Sequence, residues 1–270
     1  MKYDNTKRIN STIWVLIAGL MLLMPLSGFG AEVQRGKKVQ QNSDVQNSKR
    51  KPMNQNSLVQ RKETAIVVDM PVYKPPKRGA PAALVGGGSR GTEAGLSPLS
   101  VIAPDHVGLT VREQPSLYWY LSKPVSSRIE FTLIDNIAIQ PLLELELGTH
   151  IKPGMHRISL ADYGIYLSTG KQYQWFVALV ADPEHRSKDV IAGGVIEYIE
   201  PPESLTTRLA QAGKAKSPHI YAESGIWYDA FSSMSDLVSN APEDMKRRKQ
   251  RASLIEQVGL SEVSEYAMNR

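Results

Sequence analysis

Leu167-Ser168-Thr169-Gly170-Lys171-Gln172-Tyr173-Gln174-Trp175-Phe176-Val177-Ala178-Leu179 decides the fold. Successive side chains of a strand point to opposite faces, so Tyr173, Trp175, Val177 and Leu179 share one face, and it is apolar. A leucine, a turn glycine and a tyrosine directly ahead of a buried strand form the pattern of a tyrosine corner. The Tyr173 hydroxyl is therefore expected to return to backbone a few residues upstream.

Working outward, the period of two runs from 99 to 199. Strands are expected at Leu99–Ala103, Gly108–Arg112, Leu117–Leu121, Arg128–Ile134, Pro141–Leu147, His156–Leu160, Tyr173–Ala181 and Val190–Ile199. Asp135-Asn136, Lys152-Pro153-Gly154 and Ala181-Asp182-Pro183 supply turn signals between them. About eight short strands at this spacing predict an antiparallel β-sandwich, and the corner makes it immunoglobulin/fibronectin-III-like. Leu117, Trp119 and Leu121 share a face, so Trp119, Trp175 and Tyr173 are expected between two antiparallel sheets.

From 201 the period changes to about 3.6. Pro201-Pro202 opens a helix with a Leu205, Leu209, Ala212 stripe that ends near Gly213. A second helix is expected over 222–239, where Ile226, Trp227, Ala230, Phe231, Met234, Leu237 and Val238 form one broad apolar face. Asn240 is expected to cap a third helix, with Pro242 in its first turn and Glu243 and Asp244 beside the dipole. Gly259 ends it, and Ser261 starts a last short one. The third helix carries Lys246-Arg247-Arg248-Lys249 and Arg251, which read as a solvated face before a binding patch. The class is thus mainly β with C-terminal α: a sandwich over 99–200 and a small helical subdomain, 201–270, packed on it.

The 270 residues include no cysteine, which excludes a disulfide scaffold, a thiolate metal site and a cysteine nucleophile. The net charge of +5 is carried by the N-terminal quarter. Residues 1–31 read as a cleaved secretory signal. They have a basic start through Arg8, a fourteen-residue apolar run from Ile13 to Leu26, and Gly28 and Gly30 ahead of a cut before Ala31. An uncleaved membrane anchor is the alternative. Residues 32–64 hold eight Lys/Arg against three acids among Gln, Asn and Ser, and are expected to be a disordered basic linker. From 65 onward acids slightly outnumber bases, so a nucleic-acid-binding core is not indicated. Residues 65–98 are a Pro/Gly-rich extended strap. Gly86-Gly87-Gly88-Ser89-Arg90-Gly91 lacks the spacing of a phosphate loop.

Candidate chemistry is sparse. Ser89, His106 and Asp105 have the residue types of a hydrolase triad, but neighbouring Asp105 and His106 are expected to diverge on a strand. His150, His156 and Asp162 have no fixed metal-ligand spacing, and no metal or cofactor is expected. Glu223 and Asp229 have the types of a glycosidase pair, yet six residues on one helix turn them about 120° apart. Tyr221, Trp227 and Tyr228 beside them suit a sugar platform or a core, and the helical stripe favours the core.

Four stretches together resemble one family. They are Tyr73-Lys74-Pro75-Pro76-Lys77-Arg78-Gly79-Ala80-Pro81 with the glycine cluster; Ala103-Pro104 with Gly108-Leu109-Thr110-Val111 and Trp119-Tyr120; Gly170-Lys171-Gln172-Tyr173-Gln174-Trp175; and Tyr221-Ala222-Glu223-Ser224-Gly225-Ile226-Trp227-Tyr228-Asp229-Ala230. The chain resembles the domain-of-unknown-function 928 family over about residues 70 to 260. The resemblance implies an exported protein of largely cyanobacterial and other bacterial distribution, and it brings no catalytic residues. Many members carry a cysteine after the glycine cluster and another at the end of the late tryptophan strand; here those places read Arg90-Gly91-Thr92 and Val180-Ala181-Asp182. If the pair is a disulfide in those members, the strap's end lies near Ala181. Arg251 stands where the family has a tryptophan, which puts a buried third helix in question.

The expected function is that of an exported, non-catalytic module that binds a protein or an envelope polymer, periplasmic or extracellular, touching the membrane only through its leader. The alternative is an extracytoplasmic hydrolase using Glu223 and Asp229. The expected seam joins strap to helix: Arg78 or Arg90 pairs with Glu223 or Asp229, with Tyr221 and Tyr228 alongside.

Overall fold

The computed structural model describes residues 69–76 and 99–269. The leader, the 32–64 segment and the glycine cluster with Ser89 lie outside the described residues, as do Arg78 and Arg90. No helix among the described residues is long and apolar enough to cross a membrane.

Strands form where the period-two segments lie: β1 Leu99–Val101, β2 Gly108–Thr110, β3 Ser116–Leu121, β4 Arg128–Asp135, β5 Leu143–Gly148, β6 Gly154–Ser159, β7 Gln172–Val180 and β8 Val190–Tyr198. They make a three-stranded sheet, β1-β3-β6, and a five-stranded sheet, β2-β8-β7-β4-β5. One pairing departs from the antiparallel expectation. β2 runs parallel to β8, with Gly108 opposite Ile196. Parallel neighbours need a long connection, and here most of both sheets supplies it. Alternating hydrophobicity reports a half-buried strand and carries no information about its direction.

Trp119, Tyr173 and Trp175 are all buried. The Tyr173 hydroxyl accepts a hydrogen bond from the Ser168 amide at 3.0 Å, as the corner pattern requires. The Trp175 indole N–H donates to the Tyr228 hydroxyl at 2.9 Å, which donates to the Val195 carbonyl at 3.0 Å. Gly194 makes room there, since a Cβ on it would sit 2.8 Å from that of Ala103 and 3.1 Å from the Trp175 indole nitrogen. β3 is buried on both faces. Besides Leu117, Trp119 and Leu121, Tyr118 packs edge-on to Phe231 at 5.0 Å and Tyr120 meets Tyr266 at the same distance. One face of that small sheet is therefore closed by helices.

The helices are α1 Glu203–Ala212, α2 Ser217–Glu223, α3 Trp227–Asn240, α4 Met245–Glu256 and α5 Ser261–Asn269. The single helix expected over 222–239 is divided. Gly225, at φ +76, turns the chain between α2 and α3, a conformation glycine takes at no steric cost. Asp244, and not Asn240, caps α4, accepting from the amides of Lys246 at 3.0 Å and Arg247 at 3.2 Å. α4 is buried on one side in spite of Arg251: Ala252, Leu254 and Ile255 join Trp227, Phe231 and the strand side chains in one core. The Arg251 guanidinium reaches the Ala267 carbonyl at 3.4 Å, and burial lowers its pKa.

Candidate functional site

The strap residues that are described, 69–76, lie against α2 and α4. Pro71, Pro75 and Pro76 hold them extended and have no N–H to satisfy. Four of the other backbone groups are met by glutamines and a helix end. Gln250 donates to the Asp69 carbonyl at 2.6 Å and Gln257 to that of Pro71 at 2.9 Å. The Gln257 side-chain oxygen accepts the Tyr73 amide at 2.8 Å, and the Ala222 carbonyl accepts that of Lys74 at 3.0 Å. Gly225 is required a second time here, because a Cβ would stand 2.9 Å from the Lys74 carbonyl oxygen.

Tyr73 enters the core edge-on to Trp227, with ring centres 5.1 Å apart. Its hydroxyl lies 2.8 Å from His106 Nε2, and His106 Nδ1 lies 3.0 Å from an Asp105 carboxylate oxygen. The divergence expected of Asp105 and His106 does not occur, because both sit on a bend between β1 and β2. Tyrosine, imidazole and carboxylate thus form a hydrogen-bonded chain. Burial pushes the Tyr73 hydroxyl pKa far up, so it keeps its proton and serves as a donor.

The four predicted residues of α2 and α3 divide: Tyr221 and Asp229 share one arginine, Tyr228 is in the core and Glu223 is on the surface. Asp229 belongs to the first turn of α3, and its side chain is 0% exposed. It accepts from the Thr110 hydroxyl at 2.7 Å and the Val111 amide at 3.0 Å, and pairs with Arg112 at 2.9 Å. Burial pushes its pKa up, and the bonds from Thr110, Arg112 and Val111 pull it back without cancelling the rise. Tyr221, half-buried, hydrogen-bonds to the same arginine. Tyr228 is core and holds the Trp175 indole. Glu223 is on the surface, bound to Arg208 at 2.5 Å. Both acids therefore have arginine partners, but from β2's end and from α1.

Glu223 and Arg208 line an open groove of about 500 Å³ with Asp69, Lys216 and His219. Lys216 pairs with the Asp69 carboxylate and holds its pKa below the usual value, helped by His219. Asp229 does not line this groove. Among the described residues no group of three or more His, Asp or Glu is placed to hold a metal. His156 stacks on Trp119 at 4.3 Å and contacts the Lys152 carbonyl, and His150 contacts Thr149. In the basic run, Arg247 turns back to Asp244 at 3.1 Å and to the Leu237 carbonyl, so part of it is spent on helix ends.

The model for the Domain of Unknown Function (DUF928) matches residues 85–268. The chain belongs to the DUF928 family. No curated protein matches it. The DUF928 match takes in both sheets and nearly all of the helices, and it begins after the 69–76 segment. Tyr73 and Asp69, which bind the helices of the DUF928 domain, thus precede the matched stretch. Sequence reasoning missed Arg112 and Arg208 as the partners of the two acids, and Gln250 and Gln257 as clamps. A buried Thr110 followed by Arg112 at a strand end was the available signal. The glutamines gave none, since amides on a helix are ordinary surface residues.

Proposed function

We propose that this DUF928 chain is an exported, non-catalytic binding module whose ligand is a protein or a cell-envelope polymer. The observation that carries the reading is the connection between β4 and β5. Ile137 is 87% exposed and Ile139 91% exposed there, with no charged residue between Asp135 and Glu144. Large apolar side chains held together in water mark contact surfaces. The leader supports export. The Tyr173 corner and the two sheets support an immunoglobulin/fibronectin-III-like sandwich as the scaffold. The closed surroundings of Asp229 count against a hydrolytic pair with Glu223, because a general acid or base must reach its substrate.

The test is capture from a solubilised cell-envelope fraction by the immobilised full chain, beside an Ile137→Ser/Ile139→Ser variant. The expected result is at least tenfold more of a defined protein or polymer on the parent. Equal capture by both would remove the reading. Envelope-polymer cleavage abolished by Glu223→Gln would restore the hydrolase.

A further inference from the structure

The 69–76 segment is held as a bound peptide is held. It forms no helix or strand. Of its side chains only Pro71 and Tyr73 are buried, while Met70 and Val72 are exposed. Its backbone is gripped instead. The Gln257 side chain accepts the Tyr73 amide and donates to the Pro71 carbonyl, so one amide group holds two polar groups of the segment. Gln250 and the His219 Nε2–H both donate to the Asp69 carbonyl, at 2.6 and 3.0 Å. The Tyr73 ring stacks on His106 at 5.9 Å and meets Trp227 edge-on. At the other end the Asp69 carboxylate pairs with Lys216, and His219 lies 3.9 Å from it. A proline-rich extended segment docked on aromatic walls is a recurring mode of recognition between separate chains.

His106, Lys216, His219, Trp227, Gln250 and Gln257 make up this cradle. All lie inside residues 85–268, which the DUF928 model matches, and the segment they hold lies before it. Between Pro76 and Leu99 come 22 residues, six of them glycine. A chain of that length reaches at most roughly 75 Å, well beyond the width of an ordinary domain. The contacts therefore specify what fills the cradle, and the connection does not specify which copy supplies it.

The contacts are the same from either source. A chain's own segment is favoured by its effective concentration, on the order of millimolar for a short tether. Crowding of copies to that range offsets the advantage. Emptying the cradle uncovers part of Trp227, which is fully buried. A segment that leaves is thus best replaced by another, and a reciprocal trade closes on itself as a twofold dimer.

We propose that the cradle takes the 69–76 segment of a second copy as well as its own, so that two chains trade segments and each Tyr73 fills the other chain's pocket. This goes beyond the binding-module reading and uses neither Ile137 nor Ile139.

The experiment has two parts, both on full chains. The first mixes an Asp69→Lys chain with a Lys216→Asp chain. Both positions are about half exposed, so neither change threatens the core. Alone, each variant sets like charges together at its own cradle; exchange between the two sets unlike charges together at both. Sedimentation is expected to show a one-to-one heterodimer at least tenfold tighter than the self-association of either variant. The second part uses the absence of cysteine from the chain. An Asp69→Cys chain and a Lys216→Cys chain, mixed at about 1 mM to match the tether's effective concentration, are treated with a short bismaleimide. Their cross-linked dimer can form only between chains. It should exceed at least tenfold the yield of Asp69→Cys with Lys171→Cys, a lysine outside the cradle. Both results are required. A charge-swapped mixture that associates no more than its components overturns exchange. So does cross-linking at the control level, which would place any dimer on another surface.

Discussion

Asp229 is closed from water, and its carboxylate is held by a hydroxyl, an amide and a guanidinium. Asp229→Ala leaves the buried Thr110 and Val111 donors unmet and should cost about 1–3 kcal/mol for that desolvation. Asp229→Asn keeps an acceptor and should cost less, which urea denaturation of the two variants will rank. Its pH dependence has a definite sign. Burial raises the folded-state pKa above the ordinary value, so the folded chain binds this proton more tightly than the unfolded one. Asp229's contribution is therefore full below about pH 4 and falls as pH rises through the folded value. The stability of the parent relative to Asp229→Asn should decline from pH 4 upward; a rise would mean that the Arg112 pair outweighs burial. Asp229 also shows where a sequence falls silent. Its place near a helix start was legible, but Arg112 is over a hundred residues away, and nothing local announces which of 32 cations an acid will meet. Arg208 is only 15 residues from Glu223, but it lies on another helix and was equally unannounced. Tyr173 was legible because its partner, Ser168, is five residues away.

The break between α2 and α3 lets two elements and the 69–76 segment meet at Gly225. An alanine there combines an unfavourable φ with a contact to the Lys74 carbonyl. Gly225→Ala should destabilise by about 1–3 kcal/mol and, in hydrogen exchange, speed the Lys74 amide, which donates to Ala222. Unchanged protection at Lys74 would show that the segment is held without this turn. Tyr228→Phe probes the neighbouring joint. It strands the buried Trp175 indole N–H, with an expected cost of about 1–3 kcal/mol in chemical denaturation. All eight strands were legible, each within a few residues, because alternation is a local property. The split helix was not, since the apolar stripe from Ile226 onward reads smoothly through the break. The direction of β2 was equally hidden: three residues carry too little pattern to orient a strand.

At the scale of the molecule, the helices after 200 and the strands before it contribute to one core. Tyr118 and Tyr120 face Phe231 and Tyr266, so strands and helices bury one another. A chain ending at 200 should therefore lose cooperative thermal unfolding, and near-UV circular dichroism of the 65–200 fragment will test this; a sharp transition there would make the helices accessory. The proposed leader predicts a mature protein that begins near Ala31 or Glu32 in N-terminal mass spectrometry, and intact Met1 in a soluble cytoplasmic pool would count against export. The clamp on the 69–76 segment has a consequence in time. Asp69 waits for Gln250 and Pro71 for Gln257, partners 181 and 186 residues later in the chain. A ribosome adding roughly 5–20 residues per second needs about 10–40 s to deliver them. β2 likewise finds its place only when β8 has been made. Such a chain cannot fold from its beginning while its end is still being synthesised, and nascent chains arrested before residue 240 should be cut readily by protease at sites that the finished molecule protects.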